Sequence, residues 1–152
     1  MAGKNGHNGH VDASGLPKLD VGKTLDGKRL LFVGSTGFVG KVALSLFLRS
    51  YPNIGKMFVL VRPGAGSSAE DRFFRKVASS PVFDPVREVW PTENGGYEAF
   101  LREKVVPLPG DVARPLLNFT PEHLALLCGD GGLHAIINCA GLVSSDGSNV
   151  TR

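Results

Sequence analysis

The chain has 152 residues, 42% of them hydrophobic and 20% charged, with 17 Lys and Arg against 14 Asp and Glu. That length suits one domain burying roughly two-thirds of its unfolded surface, and a net charge of +3 with scattered basic residues gives nucleic-acid binding no footing. No run approaches the roughly 18 apolar residues of a membrane span, and Cys128 and Cys139, without CxxC spacing, read as reduced core thiols rather than a disulfide or metal pair.

Residues 1–24 are Gly, Asn, His, Lys and Asp with almost no apolar pattern, and are expected to form a disordered arm. Its "GHNGH" is a flexible tail on composition, with adventitious metal binding as the alternative. The absence of Arg and of an apolar stretch before Arg29 argues against a secretory or transit leader. The two-cysteine usage points to an intracellular, cytoplasmic protein.

Arg29 to Val33 is a short apolar run that fits a strand buried on both faces. Phe38 to Ser50 switches to helical spacing, with Val39, Val42, Ala43, Leu46 and Phe47 expected on the buried face, and Tyr51-Pro52 ends it. Met57 to Val61 is a second strand. Ser67-Ser68-Ala69-Glu70 is a capping-box signature for a helix reaching Ala78. Phe83 to Gly96 is expected to be irregular, followed by a short helix from Tyr97 to Lys104. Val105 to Leu108 is a third strand, assigned to a sheet edge because Pro107 and Pro109 cannot donate to a ladder. Thr120-Pro121-Glu122 opens a helix to about Cys128, and Ala135 to Cys139 is a fourth strand.

Strands alternating with helices give parallel βαβ units, and in the doubly wound order 3-2-1-4 the third strand is outermost. The fold expected is therefore α/β, a Rossmann-type doubly wound parallel sheet that is incomplete at about four strands. Residues 25–143 form it, between the arm at 1–24 and an irregular tail at 144–152. With nothing beside it, the fourth strand is expected to be an apolar edge prone to aggregation.

Gly34, Gly37 and Gly40 stand at the exit of the first strand and the entry of the first long helix, spaced GxxGxxG. In a dinucleotide-binding turn the first allows the tight bend, the second lets backbone approach a pyrophosphate, and the third lets helix and strand pack closely. Free N–H groups at the helix start then face the phosphates. Arg62, where NAD enzymes place an acid for the ribose 2′-hydroxyl, suits the 2′-phosphate of NADP(H) instead. Arg72 is a candidate second clamp; a solvated helix face is its alternative. Asp111 is placed to accept from an adenine amino group with Val112 against the ring, and a plain turn acid is equally consistent locally. After Asn138, the small residues Cys139, Ala140 and Gly141 suit a strand end lying close to ribose and phosphate.

Together these stretches resemble the extended short-chain dehydrogenase/reductase superfamily and, within it, the fatty acyl-CoA reductases. "VGSTGFVGKVALSLFLRSYPNIGKMFVLVRPG" resembles that family's glycine-loop pattern, and "EDRFFRKVASSPVFDPVRE", "KVVPLPGDV", "LNFTPEHLALL" and "INCAGLV" resemble its next segments. The likeness covers about Asp26 to Val143. It implies an NADPH-dependent reduction of a long-chain acyl thioester through an aldehyde, commonly to the alcohol. It carries the glycine loop onto Gly34, Ser35, Thr36, Gly37, Phe38, Val39 and Gly40, the basic residue onto Arg62 and the adenine-side acid onto Asp111. Val33 replaces the loop's usual first Thr.

Such reductases use a Tyr-x-x-x-Lys pair as proton donor. Here the residue four after Tyr51 is Gly55 and four after Tyr97 is Leu101, so no catalytic residue is assigned, and these residues alone are expected to be inactive. A sugar-nucleotide epimerase or dehydratase of the same superfamily is an alternative, disfavoured by the long Phe83 to Lys104 insertion. A binding module without catalysis is the other. A lipid substrate would be compatible with peripheral membrane contact, although no amphipathic segment demands it.

Overall fold

The computed structural model describes residues 18–90 and 95–141. The "GHNGH" stretch and the tail expected at 144–152 lie outside the described residues. Helix α1 (Val21–Leu25) begins inside the expected arm, capped by the Asp20 carboxylate, which accepts from the Lys23 N–H at 3.1 Å. Then come β1 (Arg29–Val33), α2 (Phe38–Ser50), β2 (Lys56–Val61), and α3 (Ala69–Arg72) running into a π-helical turn (Phe73–Ala78). They are followed by α4 (Asp84–Val89), α5 (Gly96–Lys104), β3 (Val105–Pro109), α6 (Pro121–Cys128) and β4 (Ala135–Asn138).

The strands make one parallel sheet in the order β3-β2-β1-β4. This is the four-stranded doubly wound sheet expected from the sequence. Pro107 and Pro109 do lie in the outer strand, opposite Val59 and Val61. Alternation along the strands divides the core. Leu30, Phe32, Met57, Val59 and Val61 face α2, the α3 turn and α5, where Leu44, Leu48, Phe73, Val77 and Leu101 are buried against them. Leu31, Val33, Phe58, Leu60 and Leu108 face the other way, onto Leu127 of α6. Each fully buried side chain of this size stabilises by about 1.5–3 kcal/mol. The second face is thinly covered, and Ile136 of β4 is 64% exposed.

Several elements depart from expectation for identifiable reasons. On α2 the innermost positions are Gly40, Leu44, Ser45 and Leu48, while Val39 and Leu46 are exposed. The helix is rolled by the contact of Gly40 with the β1 exit, and Ser45 tolerates burial because its hydroxyl donates to the Val82 carbonyl at 2.8 Å. The capping box is Ser68 with Asp71, one residue later than read. The helix it opens widens to π geometry at Phe73, which keeps Phe73, Val77 and Ala78 all buried.

The stretch expected to be irregular holds a 3₁₀ turn (Pro81–Phe83) and α4, since prolines in a first helical turn remove no needed donor. It is held down by Val86 in the core and by Trp90 stacked on Phe100 at 4.2 Å between centroids. Cys128 is exposed and is not the core thiol expected, while Cys139 is half-buried and packs against the core. Cys128 ends α6 on the open side of the thin layer.

Arg29, apparently only the first residue of β1, is a tie between layers. Its buried guanidinium donates to the carbonyls of Leu126, at 2.5 Å, and Gly129 at the C-terminus of α6, and lies over the Phe58 ring. Arg29→Met keeps the stem and removes these bonds. It should lower the unfolding free energy by about 2–3 kcal/mol in urea titration.

Candidate functional site

The carboxyl ends of the four strands meet at one edge of the sheet, where the order turns from β1 to β4. Open α/β sheets place ligands at such a switch point. A cleft of about 310 Å³ lies there, lined by Gly34, Thr36 and Gly37 after β1, Leu60 and Arg62 at β2, and Arg72 from α3. Gly110, Asp111 and Val112 after β3 and Cys139, Ala140 and Gly141 after β4 complete it.

The three loop glycines have different jobs. Gly34 has φ +92°, and a Cβ there would lie 2.5 Å from the Ala140 nitrogen. At Gly40 a Cβ would lie 1.9 Å from the Gly34 carbonyl oxygen. Both are dictated by the fold. At Gly37, by contrast, φ is −76° and the nearest atom to a Cβ would be the Gly34 oxygen at 3.6 Å, an ordinary contact. No steric contact among the described residues requires glycine at 37. It is the N-cap of α2, makes no side-chain cap, and leaves the first N–H groups of a 13-residue helix to the cleft.

The other candidates are distributed unevenly. Ser35 is fully buried with its hydroxyl unpartnered among the described residues, and Phe38 and Val39 are 78% and 66% exposed. Together with Gly40, these residues do not line the cleft, so only their backbone is available to it. Arg62 and Asp111 are brought together: Arg62 Nη2 donates to Asp111 Oδ1 at 2.9 Å. The same oxygen accepts from the Ala113 N–H at 3.0 Å. These bonds hold the Asp111 carboxyl below the usual carboxylate range, the Ala113 N–H first and the Arg62 guanidinium after it. The pairing is in force above the ordinary Asp pKa and is lost only as pH falls through the depressed folded-state value. Asn138 turns back to accept from the Ala140 N–H at 2.9 Å, which fixes the β4 exit across from Gly34.

Sequence reading missed Leu60 and Gly110. The "PGD" at the end of β3 marked Gly110, where a Cβ would meet Leu60 and the Leu117 carbonyl. The two tyrosines are elsewhere. Tyr97 donates to the Ala78 carbonyl at 2.8 Å, its phenol pushed well up by burial, and Tyr51 caps the end of α2.

A parallel doubly wound sheet with a glycine turn at its switch point defines a dinucleotide-binding fold of the Rossmann class. Residues 32–149 match the family model NAD_binding_4, described as male sterility protein, and the chain belongs to that family. It is similar to fatty acyl-CoA reductase 1 of Mus musculus, 33% identical over 118 residues that make up 78% of this chain and 21% of the relative. It is also similar to probable fatty acyl-CoA reductase 4 of Arabidopsis thaliana, 37% identical over 89 residues, 59% of this chain and 18% of the relative. The chain thus spans about a fifth of the length of these curated relatives.

Among solved structures, the terminal R domain from the myxalamid PKS-NRPS biosynthetic pathway has a similar fold. Its TM-score is 0.53 at 24% identity over 77% of this chain and 25% of that one. The reductase domain of a nonribosomal peptide synthetase from Mycobacterium tuberculosis gives 0.54 at 21% identity, over 76% and 25%.

The division of labour among the glycines is open to test by thermal unfolding. Gly34→Ala and Gly40→Ala should each lower the melting temperature by about 5 °C or more, and Gly37→Ala should stay within about 2 °C of the parent.

Proposed function

We propose that this chain is the NADP(H)-binding portion of a fatty acyl-CoA reductase, a protein that reduces a long-chain acyl thioester to the aldehyde or the fatty alcohol. The observation that carries the reading is the bare N-terminus of α2 at Gly37, a glycine that the fold itself does not need. The pyrophosphate of a dinucleotide would lie against the free N–H groups there. Bound NADPH supplies a hydride to a substrate carbonyl. The residues of this chain hold and orient the cofactor: Val112 offers apolar surface to the adenine, and Asp111 Oδ2, which has no partner among the described residues, is free to accept from its amino group. Cys139, Ala140 and Gly141 would line the side of the cleft that takes the pyrophosphate and the second ribose.

NADP(H) is the preferred form, because Arg62 stands where an acid would otherwise engage the ribose 2′-hydroxyl. Its pairing with Asp111 uses Nη2 and leaves Nη1 and Nε available. No proton donor is assigned to these residues: both tyrosines have structural roles away from the cleft, and turnover needs groups other than theirs. A cytoplasmic location belongs to the same reading, and no described helix is long and apolar enough to cross a membrane.

Two substitutions test it by titration of cofactor fluorescence. Gly37→Val places a branched side chain over the helix N-terminus and should raise the Kd for NADPH and NADH by roughly tenfold or more while the protein stays folded. Unchanged affinity would reduce the loop to a plain turn. Arg62→Gln should weaken NADPH and leave NADH within about twofold. It is cleaner than Arg62→Asp, which would set a second carboxylate beside Asp111. Equal affinity of the parent for both cofactors would remove the claimed preference.

A further inference from the structure

A second cavity of about 590 Å³ adjoins the cleft and shares Thr36 and Arg72 with it. Besides these its wall carries Lys41 from the first turn of α2 and Arg75 and Lys76 from the π-helical turn, with Asp71 as its acid. Four cations therefore face one carboxylate. That carboxylate is partly engaged elsewhere: Asp71 Oδ2 accepts from the Ser68 hydroxyl at 2.8 Å and closes the capping box of α3. Arg75 is the one cation of the group whose charge acts on it, after the Ser68 bonds, to hold its carboxyl below the usual range. Among the described residues none of Lys41, Arg72, Arg75 or Lys76 has an ion-pair partner. Arg29, Arg62, Arg87 and Arg102 all do. Like charges gathered round a concave surface repel one another and raise the local concentration of anions.

The backbone explains how the cluster is held. In the π-helical turn Phe73, Val77 and Ala78 are buried, and Arg75 and Lys76 are left exposed on its outer side. Such turns recur at functional sites. Arg75 and Lys76 line one cavity with Arg72, the last residue of α3. With Thr36 and Arg72 as the common border, a phosphate entering this cavity remains continuous with a dinucleotide in the cleft.

We infer that Lys41, Arg75 and Lys76 form, with Arg72, an extended phosphate pocket that selects the 2′-phosphomonoester of NADP(H), so that the preference for the phosphorylated cofactor resides more in this cavity than in Arg62. The inference rests on the dinucleotide reading above. Arg62 is already engaged by Asp111, whereas none of these four cations has a salt-bridge partner among the described residues, and a phosphomonoester dianion is the compact, doubly charged group that such a cluster receives.

The test is titration of the full 152-residue chain with NADPH and with NADH at one ionic strength. Arg75→Gln/Lys76→Gln, at two exposed positions, should raise the NADPH Kd roughly tenfold and leave the NADH Kd within about twofold. Lys18→Gln/Lys23→Gln removes the same charge outside both cavities and should change neither. Inorganic phosphate should compete with NADPH and not NADH in the parent, beyond the effect of matched potassium chloride.

An unchanged NADPH Kd in the Arg75→Gln/Lys76→Gln protein overturns the inference. So does an equal loss for both cofactors, or an equal loss in the Lys18→Gln/Lys23→Gln protein, which would reduce the effect to net charge. Phosphate that competes with neither cofactor also counts against it. A parent that binds neither cofactor overturns the dinucleotide reading and this inference together. Loss of both cofactors in Gly37→Val, with no change in Arg75→Gln/Lys76→Gln, keeps the former and removes only the latter.

Discussion

The carbonyl oxygen of Gly34 lies where a side chain on residue 40 would have to begin, 1.9 Å from a Cβ built there. Backbone against backbone at that distance is possible only for glycine, and it sets the roll and depth of α2 on the sheet. Leu44 and Leu48 follow from it as the next inward positions, one and two turns on. Gly34 also abuts the Ala140 nitrogen, so the exits of β1 and β4 and the start of α2 share one small region of main chain. A helix N-terminus is thereby held over the carboxyl edge of the sheet by packing, before any ligand is present. Preorganisation of this kind removes much of the ordering cost from binding.

The long connection between β2 and β3 supplies most of the covering layer on one face. Its members grip each other as well as the sheet: Trp90 stacks on Phe100, Tyr97 donates to the Ala78 carbonyl, and Arg102 bonds Glu98 and Glu70. These contacts fix the α3 turn, and with it the basic residues beside the cleft. Among the described residues the opposite face has α6, tied to β1 through Arg29, with Leu117, Phe119 and Leu133 from the flanking segments beside it. The larger buried cluster is thus on the face that carries these basic residues.

Features carried by backbone chemistry were legible in the sequence. Gly34 at the turn, Gly40 at the helix–strand contact, the prolines of the outer strand and the Thr120 cap each answer a local backbone requirement, and each stands where expected. Features carried by tertiary packing were not. The roll of α2 depends on a contact with β1, the burial of Ser45 on a carbonyl 37 residues away, and α4 on the stacking of its flanking Trp90. At the candidate site the lining positions after each strand could be read, because strand ends converge in a parallel sheet. The pairing of Arg62 with Asp111 could not, being a contact across 49 residues. Nor could the grouping of Lys41 with Arg75 and Lys76, which needs the π-helical turn to aim two of them.

That pairing and that grouping differ in a way that bears on selectivity. Arg62 and Asp111 have side chains 64% and 27% exposed, and an ion pair so open to water is worth no more than about 0–1 kcal/mol. It positions Arg62 without holding it firmly, and an incoming phosphate has little to displace. The same pair neutralises most of the field that Arg62 would project into the cleft. The cluster on α2 and the α3 turn has, among the described residues, one carboxylate for four cations, and Asp71 is shared between Ser68 and the charge of Arg75. A dianion placed among those side chains gains attraction and relieves their mutual repulsion in one step. At Arg62 it gains the attraction of one cation whose charge is shared with Asp111. On the proposed reading, discrimination between a ribose hydroxyl and a ribose phosphate would follow the larger of these differences, which is the one at the four-cation cluster.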